Sequence, residues 1–355
     1  MTLFWLRDEA RPTERRTPII PDAVARLVAA GHDFVVEASD KRIFDDAAYA
    51  DAGARLVPSA SWHDAPLDAV VLGVKELPAE PAALRHRFVH FAHIFKDQTG
   101  CRDELGRFHA GDGMLYDIEF LVDDNGRRLA AFSYWAGWLG AAIGLMRLLE
   151  RRLGLDGVAG GVAPFSGRDE VVSRLKDLVE RSDAVPTALV VGAKGKSGSG
   201  AVEVLKAAGL AVTEWDMEET ANLDRAALLS HDLLVNCVLM TGPGLVLVTP
   251  EDLRRPGTRL SMISDVSCDP LSDYNPLPVY DRPTNWTAPV IALGQNGSGE
   301  AAEITAIDNL PSLMPREAST DFSANFAPAL LRFPDGSEWA ASLNAFEAAK
   351  ARAGF

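Results

Sequence analysis

Apolar and polar positions fall along the chain in short blocks that predict strands and helices in alternation. Residues 3–6 form an apolar run, followed by the charged loop RDEARPTERRTPIIP. Helical spacing over 22–30 stops at Gly31, residues 33–37 carry the β-branched character of a strand, and 44–54 predict a short helix. Residues 67–75 (LDAVVLGVK) are almost continuously apolar, the pattern of a strand buried on both faces, and Pro78 and Pro81 stop it. A further strand is expected at 88–95, then the polar turn KDQTG, a helix from about Arg102, and apolar segments at 114–121 and 127–132. In the second half, strands are expected near 187–191, 211–215, 232–238, 260–264 and 289–293. The tail from about Pro311 reads as helix and loop, with an amphipathic helix over 340–351. Strands alternating with helices imply an α/β fold with parallel sheets in both halves.

Residues 129–146 carry no charged side chain. That length reaches the threshold of about 18 residues at which a transmembrane helix is considered. LAAFSY reads as a strand entry, however, and Trp135, Trp138, Leu139, Ala142, Met146 and Leu149 recur at helical spacing. Gly137, Gly140 and Gly144 would let a neighbouring helix approach closely. Because the α/β pattern continues on both sides, a buried interdomain helix is expected rather than a span.

The stretch TALVVGAKGKSGSG, residues 187–200, changes the picture from fold to ligand. An apolar run enters a glycine turn and AVEVLKAAG follows as a helix, the unit by which parallel sheets hold a dinucleotide pyrophosphate. Glycines let backbone N–H groups close on the phosphate, and the helix N-terminus offers partial positive charge. The first glycine of the usual pattern is Ala193 here, with Gly195 and Gly198 following. Asp216 closes the next strand, about 20 residues further on, where a carboxylate accepts the ribose hydroxyls. An acid at that place repels a 2′-phosphate, which favours NAD over NADP. Two Rossmann-like domains with parallel sheets are therefore expected, with the active site in the cleft between them. Residues 1–133 and 313–355 form the substrate domain, and 134–312 the NAD-binding domain.

Composition narrows the partners. A chain of 355 residues, 47% hydrophobic, can build two cores. A net charge of −15 argues against nucleic acid and anionic membranes. Against that background the basic pairs Arg15–Arg16 and Arg127–Arg128 stand out. Cys101, Cys237 and Cys268 show no C-x-x-C spacing and suit a reducing compartment. No basic-then-apolar leader opens the sequence, so a cytoplasmic protein is expected.

Ligands bind beyond the carboxyl ends of strands in open parallel sheets. That rule gathers Lys75, Glu76 and His93 with the loop bearing Arg15 and Arg16. Two readings stand for Lys75: a partly desolvated amine serving as general base, or a side chain snorkelling to solvent. His90 and His93, three apart on a strand, would face opposite sides and could not share one metal ion, and no other spacing supports a metal. His93 would be the single titrating ring on an apolar face, either a satisfied core histidine or an acid/base. Arginine pairs clamp carboxylates and suggest a substrate with more than one. Glu14 and Glu119 could buffer or orient these cations. No nucleophilic Ser/His/Asp arrangement is readable.

The stretches LRDEARPTERRTPIIP, VLGVKELP, HFAHIFKDQTG, GMLYDIEFL, NGRRLAAF, VVGAKGKSGSGA, EWDMEET, ISDVSCD and IDNLPSLMPREAS occur in this order from residue 3 to about 319. Together they resemble the NAD-dependent, lysine-forming saccharopine dehydrogenases of the alanine dehydrogenase/transhydrogenase superfamily. The resemblance implies reversible conversion of saccharopine, NAD and water to L-lysine, 2-oxoglutarate and NADH. It implies Lys75 as acceptor of the amine proton and His93 as acid/base in hydration and carbinolamine collapse. Arg16, Gln98, Arg128 and Phe132 match substrate-contacting positions, and Ser267, Cys268 and Asp269 would lie beside the substrate. Arg127, Gly195, Lys196, Asp216, Thr220, Val266, Ile307, Asp308, Asn309 and Leu310 match cofactor positions. Glu14, Glu76, Glu119 and Asp308 match acids that tune the charge. Lys196, Ser197 and Leu239 depart from fungal members near the cofactor. The resemblance also points to a monomer. A related dehydrogenase joining 2-oxoglutarate to another amine, and a non-catalytic NAD-binding regulator, are the alternatives. Retention of Lys75, His93 and both arginine pairs argues against the regulator, which would need no base.

Overall fold

The structure is a computed structural model that describes residues 1–94, 100–238, 240, 242 and 244–355. Along the chain run β1 (Leu3–Leu6), α1 (Pro21–Ala29), β2 (Asp33–Glu37), α2 (Asp46–Asp51), β3 (Arg55–Val57), β4 (Val70–Leu72), β5 (Arg87–His90), α3 (Cys101–Gly111) and β6 (Met114–Asp117). Then come α4 (Ser133–Arg152), α5 (Arg168–Arg181), β7 (Ala188–Val191), α6 (Lys196–Ala207), β8 (Val212–Trp215), α7 (Met217–Ala221), α8 (Arg225–Leu229) and β9 (Leu233–Asn236). The remainder is α9 (Pro250–Arg254), β10 (Met262–Asp265), β11 (Ile291–Gln295), β12 (Ala301–Thr305), α10 (Pro315–Leu330) and α11 (Ser337–Ala353). Two compact units result: Met1–Ala131 with Pro315–Phe355, and Phe132–Met314.

The first unit holds a six-stranded sheet in the order β3-β2-β1-β4-β5-β6, parallel throughout. Its core packs Trp5, Val71, Phe88 and Leu115 of the strands against Phe108 of α3 and Phe346 of α11. The strand order reverses between β1 and β4, the switch point at which such sheets open a crevice at their carboxyl edge. The strands expected at 67–75 and 88–95 are shorter: β4 ends at Leu72 and β5 at His90, although Gly73 N–H still donates to the Val89 carbonyl and Phe91 N–H to that of Val74. Residues 127–132 form no strand; one bridge joins Val122 to Arg128, and the helix begins at Ser133.

The second unit holds a sheet in the order β11-β12-β10-β9-β7-β8. All neighbours are parallel except the edge pair β11–β12. The pattern left β12 unread, although the turn NGSGE between Gln295 and Ala301 is a hairpin signal. Helix α4 lies inside this unit, buried from Gly137 to Glu150, and packs on α6 and β10. No helix among the described residues is long and apolar enough to cross a membrane. Gly137 explains how close α4 and α6 come: a Cβ there would collide with the Ser197 carbonyl. Gly137→Ala should therefore cost about 1–3 kcal/mol of stability by overpacking, read as a lower thermal midpoint.

Candidate active site

In the first unit, the loop after β1 and the turns after β4 and β5 place their side chains at the carboxyl edge beside the switch point. Glu14 and Arg16 are both buried. Arg16 donates from Nε to Glu14 Oε1 at 2.8 Å and from Nη2 to Oε2 at 2.6 Å, and its backbone N–H also reaches Oε1. Burial alone would raise the Glu14 carboxyl; the Arg16 charge and hydrogen bonds, with the ammonium of Lys75 behind them, hold it down at about 2. Lys75 is thus near Glu14, and it is half-buried, beyond the last paired residue of β4. The arginine fork that the sequence offered to a substrate carboxylate is bidentate on Glu14. Arg15 turns elsewhere and donates to the Lys41 carbonyl.

Glu76 forms an ion pair with Arg11 at 2.9 Å and lies 4.0 Å from His93 Nε2. His93 is not on a strand. It follows β5 by three residues in a left-handed conformation, φ 55°, with its side chain 45% exposed and its ring stacked near Phe91. The expected opposite-face arrangement with His90 gives way because the chain bends after His90. His90 itself is buried, and burial pushes its imidazole down to about 3, so it stays neutral. Arg128 is exposed and 3.9 Å from Glu119. Arg127 sits on an exposed turn whose amides donate to Asp123. Gln98 and Leu239 lie outside the described residues.

Three buried charged residues at this edge escaped the pattern reading. Glu9 accepts from the backbone N–H groups of Val74 and Lys75, and Arg7 donates to the carbonyls of Lys75 and Glu76. Asp117 accepts from the amides of Ala92 and Glu119, and of His93. Burial pushes Asp117 up to about 7 despite those donors. A charged residue in a sequence block otherwise reading as strand end was the available signal.

In the second unit the glycine turn is built as the sequence requires. Gly192 and Ala193 donate to the Trp215 carbonyl, and Lys194 N–H donates to Asp216 Oδ2 at 2.9 Å. Asp216, at the end of β8, is thereby tied to the turn, and with Glu219 it caps α7. Thr220 donates to the Asp216 carbonyl. A Cβ at Gly198 would collide with the Gly192 carbonyl, so the turn closes only on glycine. Helix α6 starts after Gly195 with no capping side chain, leaving its N-terminus for an anion. Gly195 and Lys196 are exposed there. These residues fit a dinucleotide pyrophosphate.

Beyond β10, Val266 N–H donates to the Asn236 carbonyl, and Ser267 Oγ to Val238. Asp265, unread in the sequence, is buried and accepts from Asn236, from Tyr280 at 2.6 Å and from the amides of Ser267 and Cys268. Burial and Asp265 push the Cys268 thiol up to about 12, which makes it a poor nucleophile. Asp269 follows at the mouth of this turn. After β12, Ile307 and Leu310 are buried, Asp308 is exposed, and Asn309 is left-handed and donates to Ser312. Phe132 immediately precedes α4 and makes no side-chain capping bond to it. Among the described residues no cluster of His, Cys, Asp or Glu could hold a metal ion.

Two doubly wound sheets, one bearing a glycine turn closed by an acid, define the class of α/β dinucleotide-dependent dehydrogenases. Residues 5–139 match the family described as alanine dehydrogenase/PNT, N-terminal domain. Solved structures of an L-alanine dehydrogenase (TM-score 0.69, 19% identity, covering 98% of this chain and 94% of that one) and of a transhydrogenase from Sinorhizobium meliloti (0.65, 16%, 96% and 97%) share the fold. Sequence relatives are nearer. The chain is 40% identical over 338 residues to the saccharopine dehydrogenase (NAD+, L-lysine-forming) of Yarrowia lipolytica, covering 93% of this chain and 91% of that one. It is 39% identical to the protein of the same description from Neurospora crassa, covering 94% and 92%. The chain belongs to the family of NAD-dependent, L-lysine-forming saccharopine dehydrogenases.

Proposed function

We propose that the protein oxidises saccharopine with NAD and water to L-lysine, 2-oxoglutarate and NADH, reversibly. The observation that carries this is identity near 40%, over more than nine-tenths of the chain, to relatives described by that reaction. The grouping of Lys75, Glu14, Glu76 and His93 at one sheet edge supports it.

Lys75 takes the proton from the secondary amine nitrogen. When bound, NAD supplies the acceptor for the hydride that leaves the glutamyl Cα. Gly195, Lys196 and the α6 N-terminus would hold its pyrophosphate and Asp216 its ribose, with Thr220, Val266, Arg127 and the run Ile307, Asp308, Asn309 and Leu310 as further contacts. His93 removes a proton from the water that adds to the imine carbon. It then returns a proton to nitrogen as the carbinolamine collapses and the C–N bond breaks, releasing the ε-amine of lysine. Arg128, exposed beside Glu119, supplies a cation for a substrate carboxylate, and Arg16, whose Nε and Nη2 are on Glu14, adds its charge to the same site. By the family resemblance, Phe132, Ser267, Cys268 and Asp269 are further substrate-side residues. Glu14, Glu76 and Glu119 offset part of the positive charge of Arg16, Arg11 and Arg128.

The test is to mix the protein with NAD and saccharopine at alkaline pH and follow NADH together with lysine. Equal amounts of both are expected; intact NAD binding without NADH would overturn the substrate assignment, and lysine analogues would then be tried in the reductive direction. Asp216→Ala should raise the NAD dissociation constant about tenfold or more, since hydrogen bonds to a charged group are worth about 1.5–3 kcal/mol. It should also narrow the preference for NAD over NADP, measured by fluorescence titration with each.

A further inference from the structure

We propose that the buried carboxylates Glu9 and Asp117 are positioning residues that fix the main chain beneath Lys75 and His93. The proposal rests on the acid–base reading of those two side chains. Its motive is that both strands stop short at the same kind of device. Main-chain pairing of β4 with β1 ends at Leu72, whose carbonyl accepts from Arg7 N–H. The next two amides on that side are taken by a side chain: Glu9 Oε1 accepts from Val74 at 2.6 Å and Oε2 from Lys75 at 3.1 Å. Arg7 completes the clamp. Its Nη2 contacts Glu9 at 3.2 Å and donates to the carbonyls of Lys75 and Glu76. Both polar groups of the Lys75 main chain are therefore held by one buried ion pair.

Asp117 does the same one strand further on. Strand β5 pairs with β6 as far as His90 opposite Asp117. Past that point Asp117 Oδ2 accepts from Ala92 N–H at 3.0 Å, and the carboxylate also accepts from His93 N–H. Its Oδ1 accepts from Glu119 at 2.8 Å, so the segment facing Arg128 is fixed by the same group. His93 has φ 55°, a conformation that a non-glycine residue keeps only where its surroundings impose it. A strand extended by one more pair would satisfy those amides with neutral carbonyls and avoid burying a charge. It would also leave His93 on the pleat, projecting from one face of the sheet. The carboxylate ends the strand and turns the imidazole toward Glu76.

The experiment is a double-mutant cycle on the full chain, read in kcat and KM with NAD and saccharopine. Asp117→Ala should lower kcat about 100-fold, the scale of a catalytic group displaced by about 1 Å, with KM and NAD affinity little changed. Asp117→Asn keeps the shape and one acceptor oxygen and should lose less; it carries the cycle if the alanine variant does not fold. Combined with His93→Gln, either variant should lose no more than His93→Gln alone, because its effect passes through His93. Glu9→Gln with Lys75→Met should behave likewise. Losses that multiply would overturn the positioning role, since general damage to the fold would add to the loss of the catalytic group. A His93→Gln variant that keeps full kcat would instead overturn the acid–base reading, an outcome the cycle separates from the first.

Discussion

Lys75→Met is expected to lower turnover by about 100- to 10,000-fold, the range supplied by a positioned general base, while NAD affinity stays unchanged. Methionine keeps an unbranched apolar stem, so the packing that makes Lys75 half-buried survives and the amine alone is lost. The amine stands in a cluster built for charge. It is near enough to Glu14 to help hold that carboxyl down, and its own N–H and C=O are tied to Glu9 and Arg7. The glycine turn is tied to Trp215 and Asp216 through Gly192, Ala193 and Lys194, and Gly195 N–H donates to Gly192; none of these bonds involves Lys75. Steady-state rates and NAD titration on the same preparation decide the matter. Turnover within a few-fold of the parent would mean that Lys75 is not the base. Lost NAD binding would mean that it is structural.

The parts of this molecule legible in its sequence are those governed by period and by glycine. The apolar runs of β1 and β7 were read to within a residue, because a strand buried on both faces admits almost no polar side chain, and β2 was read from the β-branched pair inside DFVVE. The glycine turn and Asp216 were legible because close backbone approach leaves glycine no substitute at Gly198. The ends of β4 and β5 were not. Val74 continues the apolar run, yet its amide goes to a carboxylate from a loop 65 residues earlier, and no local pattern announces that exchange. The same holds for His93, whose alternation with Val89 and Phe91 suggested a strand that Asp117 cuts off. Arg16 shows the converse. Its residue type suggested a ligand clamp, but the glutamate two residues before it takes the fork first.

That pair sets the largest stability effect expected. Glu14→Gln should destabilise the first unit by about 3–5 kcal/mol, because it leaves the guanidinium of Arg16, 4% exposed, buried without its counter-charge. The linkage of folding to protonation agrees. A carboxyl held at about 2 instead of 4.5 stabilises the folded state by about 3 kcal/mol at neutral pH. Since the folded value is the lower one, this stabilisation is complete above about 4.5 and is lost as pH falls toward 2. Scanning calorimetry of parent and variant should therefore show a thermal midpoint lower by roughly 10 °C at neutral pH, converging as the buffer is acidified through that window. The isosteric amide preserves shape, so the change isolates charge. The same variant removes the anion facing Lys75, and the ammonium form of Lys75 loses a counter-charge. The acidic limb of the pH–rate profile should consequently move to lower pH. A variant with parent stability would show that Arg16 has enough other support to stand buried without Glu14. An unshifted acidic limb would show that the Lys75 amine is electrostatically independent of the pair.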